Sequence, residues 1–213
     1  MTTVRERHWR TRLNTLCQQP GAKPLVFMLL LGPLGLLVWA VVADQLGANP
    51  AQALVRATGD WTLRALCLVL AVTPLRVVLQ VPALARLRRM LGLFVYFYAT
   101  LHLLSYGWFD MGFELPEIIR DIAKRPFILV GFLAFVLLSM LALTSFNRAI
   151  RALGGQNWQR LHRLVYAVAV LAMLHFFWMR AGKNDFAEVA VYGLVLVLLL
   201  GWRVVRLMNK NRR

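Results

Sequence analysis

The chain has 213 residues, 60% hydrophobic and only 16% charged, with a mean hydropathy of +0.61. Soluble domains carry about 45–50% apolar and about 25% charged residues, so this composition belongs to a membrane protein. Six apolar spans of about 20 residues each use up most of the length and leave no room within it for a large extramembrane enzyme domain.

In chain order, residues 1–23 are basic and polar and precede an uncharged run at 25–43. No A-x-A-like cleavage site accompanies that run, so it is expected to be an uncleaved first span and not a removed signal peptide. The second span centres on 65–75, the third fills 90–109, the fourth 126–146, the fifth centres on 164–179 and the sixth on 189–202. The three shorter runs reach spanning length only with Trp61, Arg64, Arg76, His162, Arg163, Phe186 and Arg203 at the interface, where long basic side chains snorkel. Thr73-Pro74, near the end of span two, predicts a helix end or kink. Connections at 44–60, 77–89, 110–125, 147–157 and 180–185 are short, which predicts a compact antiparallel bundle. There is no repeat at a fixed period and no low-complexity segment. The expected architecture is an all-α membrane protein, a six-transmembrane-helix bundle with a tail over 1–24, a transmembrane domain over 25–207 and a basic tail over 208–213.

The formal charge of +16 would in a soluble chain raise nucleic acid as a partner, but its distribution points to topology instead. Six spans put both termini on one side. Eighteen of the 25 Lys and Arg fall on that side with a single acid, whereas the other side holds eight of the nine acids. By the positive-inside rule both termini are cytoplasmic and no nucleic-acid partner is expected. Trp39, Trp61, Trp108, Trp158, Trp178 and Trp202 fall near span ends, as an aromatic belt requires. Asp110, Glu114, Glu117 and Asp121 make the third connection acidic and a docking surface for a partner on the far side.

Cys17 in the tail and Cys67 within span two are too far apart for a structural disulfide, and there is no CxxC, CxxCH or paired zinc spacing. No G-x-G-x-x-G occurs, and Gly154-Gly155 reads as a turn, so the chain has no nicotinamide-binding domain of its own.

Of the histidines His8, His102, His162 and His175, the last three lie in or at the ends of spans three and five. A ligating side chain at membrane depth points to function, because its desolvation is otherwise uncompensated. At 1.5 Å per residue His102 is roughly 18 Å from the cytoplasmic end of span three, and His175 lies near the outer end of span five, so the two can share the outer half of the bundle. Two neutral imidazoles on facing helices are what a bis-His haem b needs. His162 sits about 20 Å nearer the cytoplasm than His175, and about 140° away on an ideal helical wheel, so the two need not face one neighbour. Arg88 lies 14 residues before His102 on nearly the same face; it cannot ligate iron in the ordinary way but can hold a haem propionate or a flavin phosphate.

Several sequence stretches carry a family resemblance. They are Arg88-Arg89-Met90-Leu91-Gly92-Leu93 followed by Ala99-Thr100-Leu101-His102-Leu103-Leu104-Ser105-Tyr106, and Trp158 to Tyr166 enclosing His162, with His175 thirteen residues on. With Ala57-Thr58-Gly59 and Thr73-Pro74-Leu75, they closely resemble the MsrQ (YedZ) family within the ferric reductase-like transmembrane superfamily, over essentially the whole chain from about residue 25. The resemblance implies a haem b subunit of a bacterial inner-membrane electron-transfer system, with His102 and His175 as the axial pair. His162 and Arg88 are the candidates for an inner cofactor, a second haem or FMN. It further implies a cytosolic flavin reductase or quinone as donor, and as acceptor the periplasmic molybdopterin enzyme MsrP, which carries the site where methionine sulfoxide is reduced. The competing class is a transporter whose histidines bind a metal ion or proton; against it stand the scarcity of acids within spans and the lack of paired broken helices.

Overall fold

The computed structural model describes residues 4–182 and 184–211, with side chains over 8–210 apart from 183. The charges counted at Arg5, Glu6, Arg7, Lys183, Arg212 and Arg213 therefore lie outside the described side chains.

Among the described residues the secondary structure is entirely helical. Helix α1 (Val4–Gln18) lies in the segment expected to be a tail, and α2 (Ala22–Val42) is the first apolar span. Helix α3 (Pro50–Val78) starts where Pro50 presets the first helical φ and the Asn49 side chain accepts a 3.0 Å hydrogen bond from the Gln52 amide. It is far longer than the uncharged core at 65–75: most of the connection expected at 44–60 is helix, and α3 passes Pro74 without ending. A 3₁₀ segment (Pro82–Leu87) leads into α4 (Arg88–Ser105), which continues as a π-helical turn (Tyr106–Asp110). The acidic connection expected at 110–125 contains a further helix, α5 (Leu115–Lys124), before α6 (Pro126–Leu143). Helices α7 (Asn147–Leu153) and α8 (Gly155–His162) are separated at Gly154, whose φ of 72° needs a residue without Cβ. A turn at 163–164 separates α8 from α9 (Val165–Ala181), and α10 (Ala187–Asn211) takes up most of the basic tail expected from 208.

Among the described residues, six stretches are long and apolar enough to cross a membrane: Ala22–Val42, Pro50–Val78, Pro82–Asp110, Pro126–Leu143, Gly155–Ala181 and Ala187–Lys210. They pack as two principal pairs, α3 on α4 and α6 on α9, joined where α4 meets α6 and closed by α10 against α3 and α9. The shared core runs through Leu66, Leu70, Val95, Val168, Ala169 and Leu196. In lipid there is little hydrophobic gain from burying one apolar helix against another, so close backbone approach through small residues matters more. Ala65, Ala99, Ala134 and Ala169 occupy such buried contact positions. Helix α2 is peripheral: the Tyr98 hydroxyl donates to the Leu30 carbonyl at 2.6 Å and Phe27 packs edge-on against Phe94.

Polar ties gather at the basic end of the bundle. Arg10 bonds Gln80 at 2.6 Å, Asn14 accepts from the Ala83 amide at 3.0 Å, and Arg86 donates to the Gln18 carbonyl at 3.1 Å, which docks α1 onto the 79–87 connection. Arg89 reaches Asn147 at 2.6 Å, linking the starts of α4 and α7.

Ala169 is fully buried and its neighbour Val170 is exposed. Ala169→Leu is expected to cost about 1–3 kcal/mol through overpacking, whereas Val170→Leu should be near neutral. Thermal denaturation of the two variants in the same detergent checks this, and equal midpoints would place the α9 contact elsewhere.

Candidate functional site

A backbone carbonyl can only accept a hydrogen bond, and this fixes the chemistry of the two deepest histidines. His102 on α4 places Nδ1 2.8 Å from the Val55 carbonyl on α3, and His175 on α9 places Nδ1 2.7 Å from the Phe127 carbonyl on α6. In each ring Nδ1 must carry the proton, so Nε2 keeps its lone pair and is the atom free to bind a metal. The two rings face each other with centroids 6.3 Å apart and planes 72° apart.

Each imidazole reaches its carbonyl because a glycine lies four residues further along the accepting helix. The carbonyl of residue i points toward the amide of i+4, and the Cβ of i+4 would tilt back over that bond. At Gly59 an added Cβ would lie 3.0 Å from Cε1 of His102; at Gly131 it would lie 2.8 Å from Nδ1 of His175. Val55 with Gly59 and Phe127 with Gly131 are thus the same device built twice, once in each principal helix pair. Sequence reasoning found both histidines but not the supporting carbonyls or Gly131. Its one clue was Gly59, and a glycine inside an apolar run has many uses.

His162 is built differently. The Ser145 hydroxyl donates to the Leu141 carbonyl at 2.6 Å, so in its 3.3 Å contact with His162 Nε2 the serine oxygen accepts. That leaves the proton on Nε2 and the lone pair on Nδ1, which is buried without a hydrogen-bond partner. Trp158 covers the ring at 4.0 Å between centroids and is pinned by a 2.8 Å bond from Nε1 to the Thr144 carbonyl. Arg88, at the first position of α4, is close enough to act on His162 electrostatically. The helical-wheel angle between His162 and His175 does not apply, because the turn at 163–164 interrupts the helix between them. The structure therefore brings His102 and His175 together and sets His162 with Arg88 at the basic end.

The acidic connection is more ordered than its charges suggest. The Tyr106 hydroxyl donates to Asp121 at 2.7 Å, and Arg125 pairs with Asp121 at 2.8 Å, leaving that side chain 12% exposed. Asp121 anchors α5 over the end of α4 and is not free to meet a partner; Glu117 remains at the surface, paired with Arg120.

Two helix pairs, each lending one histidine to a shared internal site, define a ferric reductase-like transmembrane component, and the sequence profile of that family matches residues 58–173. The chain is 68% identical over 205 residues, 96% of its own length and 94% of the relative's, to the protein-methionine-sulfoxide reductase heme-binding subunit MsrQ of Polaromonas naphthalenivorans. It is 52% identical over 182 residues to the proteins of the same name from Herminiimonas arsenicoxydans and Bordetella pertussis, covering 85% of this chain and 84% and 88% of theirs. The chain belongs to the MsrQ family. No solved structure matches it.

Haem, which those relatives are named for binding, fits the donor set present here. Two imidazole–metal bonds of about 2.0–2.1 Å, with about 1.1 Å from each Nε2 to its ring centre, span about 6.3 Å. That equals the separation the two rings already have.

The tautomer assignment predicts that ¹⁵N-histidine spectra of the membrane-embedded protein show His102 and His175 as Nδ1–H forms and His162 as the Nε2–H form. Gly131→Ala should shift the His175 resonances alone. An Nε2–H signal from either deep histidine would overturn the assignment.

Proposed function

We propose that this chain is the haem b electron-transfer subunit of a methionine sulfoxide reductase system in a bacterial inner membrane, with both termini cytoplasmic. Electrons enter from a cytosolic flavin reductase or the quinol pool and leave to the periplasmic molybdopterin enzyme MsrP, where the substrate is reduced. The observation that carries this reading is the facing His102 and His175 pair, each with Nε2 unprotonated, at the spacing of an axial couple.

Bound there, a haem supplies a one-electron carrier whose potential its surroundings tune. His102 and His175 would hold its iron, with the Val55 and Phe127 carbonyls keeping the proton on Nδ1 of each ring and fixing its orientation. Tyr96, stacked on Phe135 at 5.6 Å, belongs to the aromatic packing around α4 and α6. At the basic end, Arg88 with His162 is the second proposed cofactor position, for the propionate of another haem or the phosphate of FMN. The cationic cytoplasmic face steers an anionic donor such as reduced flavin over about a Debye length.

The competing reading, a transporter for a metal ion or proton, is served less well. Each deep histidine already has one nitrogen committed to a helix carbonyl, so the pair offers two donors on one axis, whereas carried cations take about four to eight ligands.

Replacing His102 or His175 by Ala should remove the same low-spin haem, and the double variant should match either single one. The 72° between ring planes further predicts a highly anisotropic low-spin ferric EPR signal, not the rhombic signal of coplanar imidazoles. If one substitution leaves the bis-His spectrum intact, the pairing is wrong.

His162→Ala should spare that haem and slow its reduction by the cytoplasmic donor. Neutralising Glu114 and Glu117 while keeping Asp121 should slow reoxidation by the soluble partner and leave reduction untouched. Stopped-flow traces with the opposite pattern would reverse the direction of transfer.

A further inference from the structure

Asp60 was expected in a connection, but it lies in the third turn of α3, about 15 Å along the helix from Pro50. It directly follows Gly59, the residue against which the His102 ring packs. An ionisable side chain at such depth calls for a functional account.

The charged groups around Asp60 form a ladder along the interface of α3 and α10. On α3, Arg56 and Arg64 lie one turn to either side of Asp60; Glu188 on α10 and Arg180 on α9 also act on it through space. On α4, the His102 ring packs against the adjoining Gly59. Three other members of the ladder, Arg64, Arg180 and Glu188, are already engaged. Arg64 donates to the Tyr192 hydroxyl at 3.0 Å and sits over Trp61, while Arg180 holds both Asp185 and Glu188. Asp60, half-buried, makes no hydrogen bond or ion pair among the described residues. The ladder opens to solvent at its outer rungs, where the side chains of Asp185 and Glu188 are each 46% exposed.

We propose that Asp60 is a redox-linked proton acceptor: when a haem held by His102 and His175 takes up an electron, the Asp60 carboxylate takes up a proton from the aqueous phase at the open end of the α3–α10 interface. The balance is one electron onto ferric iron, giving ferrous iron, and one proton from the aqueous phase onto the carboxylate, both reversed on reoxidation. The electron comes from the reduced flavin or quinol of the functional reading, on which this inference rests. The physical cause is charge. An added electron in a low-dielectric site raises the cost of a nearby anion, and Asp60 is the neighbouring carboxylate not held by an arginine. Glu188 is held by Arg180.

The test is a spectroelectrochemical titration of the haem-loaded, full-length protein in lipid nanodiscs across the pH range in which it stays folded. The wild-type midpoint potential should fall with rising pH by up to about 59 mV per unit, the one-electron equivalent of a tenfold change. Asp60→Asn should flatten that slope with the haem spectrum unchanged, Asp60→Glu should restore it, and Glu188→Gln should keep it. A wild-type slope near zero, or a slope that survives in Asp60→Asn, overturns the proposal. If Asp60→Asn fails to load haem, redox-difference infrared spectra of the wild type decide: a carboxylic C=O band gained on reduction and shifted in D₂O supports the assignment, and its absence overturns it. A wild-type protein that binds no haem overturns the functional reading and this inference with it, whereas bound haem with a pH-independent potential overturns this inference alone.

Discussion

Everything at the centre of this bundle depends on one restriction, that a helix carbonyl accepts and never donates. In water an imidazole shifts its proton freely between nitrogens. In an apolar interior, the two carbonyls at Val55 and Phe127 remove that freedom and leave Nε2 as the lone-pair nitrogen in two rings whose centroids are 6.3 Å apart. Metal-binding histidines generally have their second nitrogen occupied in this way. Here the partners are main-chain atoms of neighbouring helices, so ligand geometry is tied directly to helix packing. The close contacts of α3 with α4 and of α6 with α9 are therefore part of the site.

The same restriction explains why glycines sit where they do. A carbonyl inside a helix already accepts from the amide four residues on, and only its second lone pair is available to a side chain. At Val55 and Phe127 a Cβ on the i+4 residue would come within about 3 Å of the approaching imidazole, and glycine at 59 and 131 removes that clash. Gly59 and Gly131 are spaced identically from Val55 and Phe127, so the two halves solve one steric problem in one way. Rings held by helix backbone on both sides are also better positioned than rings on loops.

The parts legible in sequence were those set by long-range averages. Hydropathy runs gave six spans, and His102 and His175 could be matched by depth, since rise per residue is constant within a helix. What failed were inferences that treated charge as a sign of solvent. The stretch from Pro50 through Asp60 contains Arg56 and Asp60 yet is helix, because Asn49 and Pro50 start it well before the apolar core. The acidic connection forms α5, with Ile118 and Ile122 on the face turned from Glu117, Arg120 and Lys124, a period that a reading by charge alone passes over. The wheel angle at His162 assumed one unbroken helix, and the turn at 163–164 has no proline or glycine to announce it; that His162 and His175 face different neighbours holds.

The two ends of the bundle also hold their charges differently, which bears on the proposed passage of electrons. At the basic end, arginines at 10, 86 and 89 are spent on carbonyl and amide oxygens that fasten one segment to the next. At the acidic end, Arg180 and Arg125 are matched with carboxylates. A site that gains and loses an electron in a low-dielectric interior needs nearby charge that can respond, while its entry face needs only a steady positive field. Fixed cations distributed over the 79–89 connection provide the steady field. The α3–α10 interface instead carries both an arginine-bound carboxylate, Glu188, and Asp60, which has no ion pair among the described residues, and an added electron nearby would weigh most on the one that is not paired.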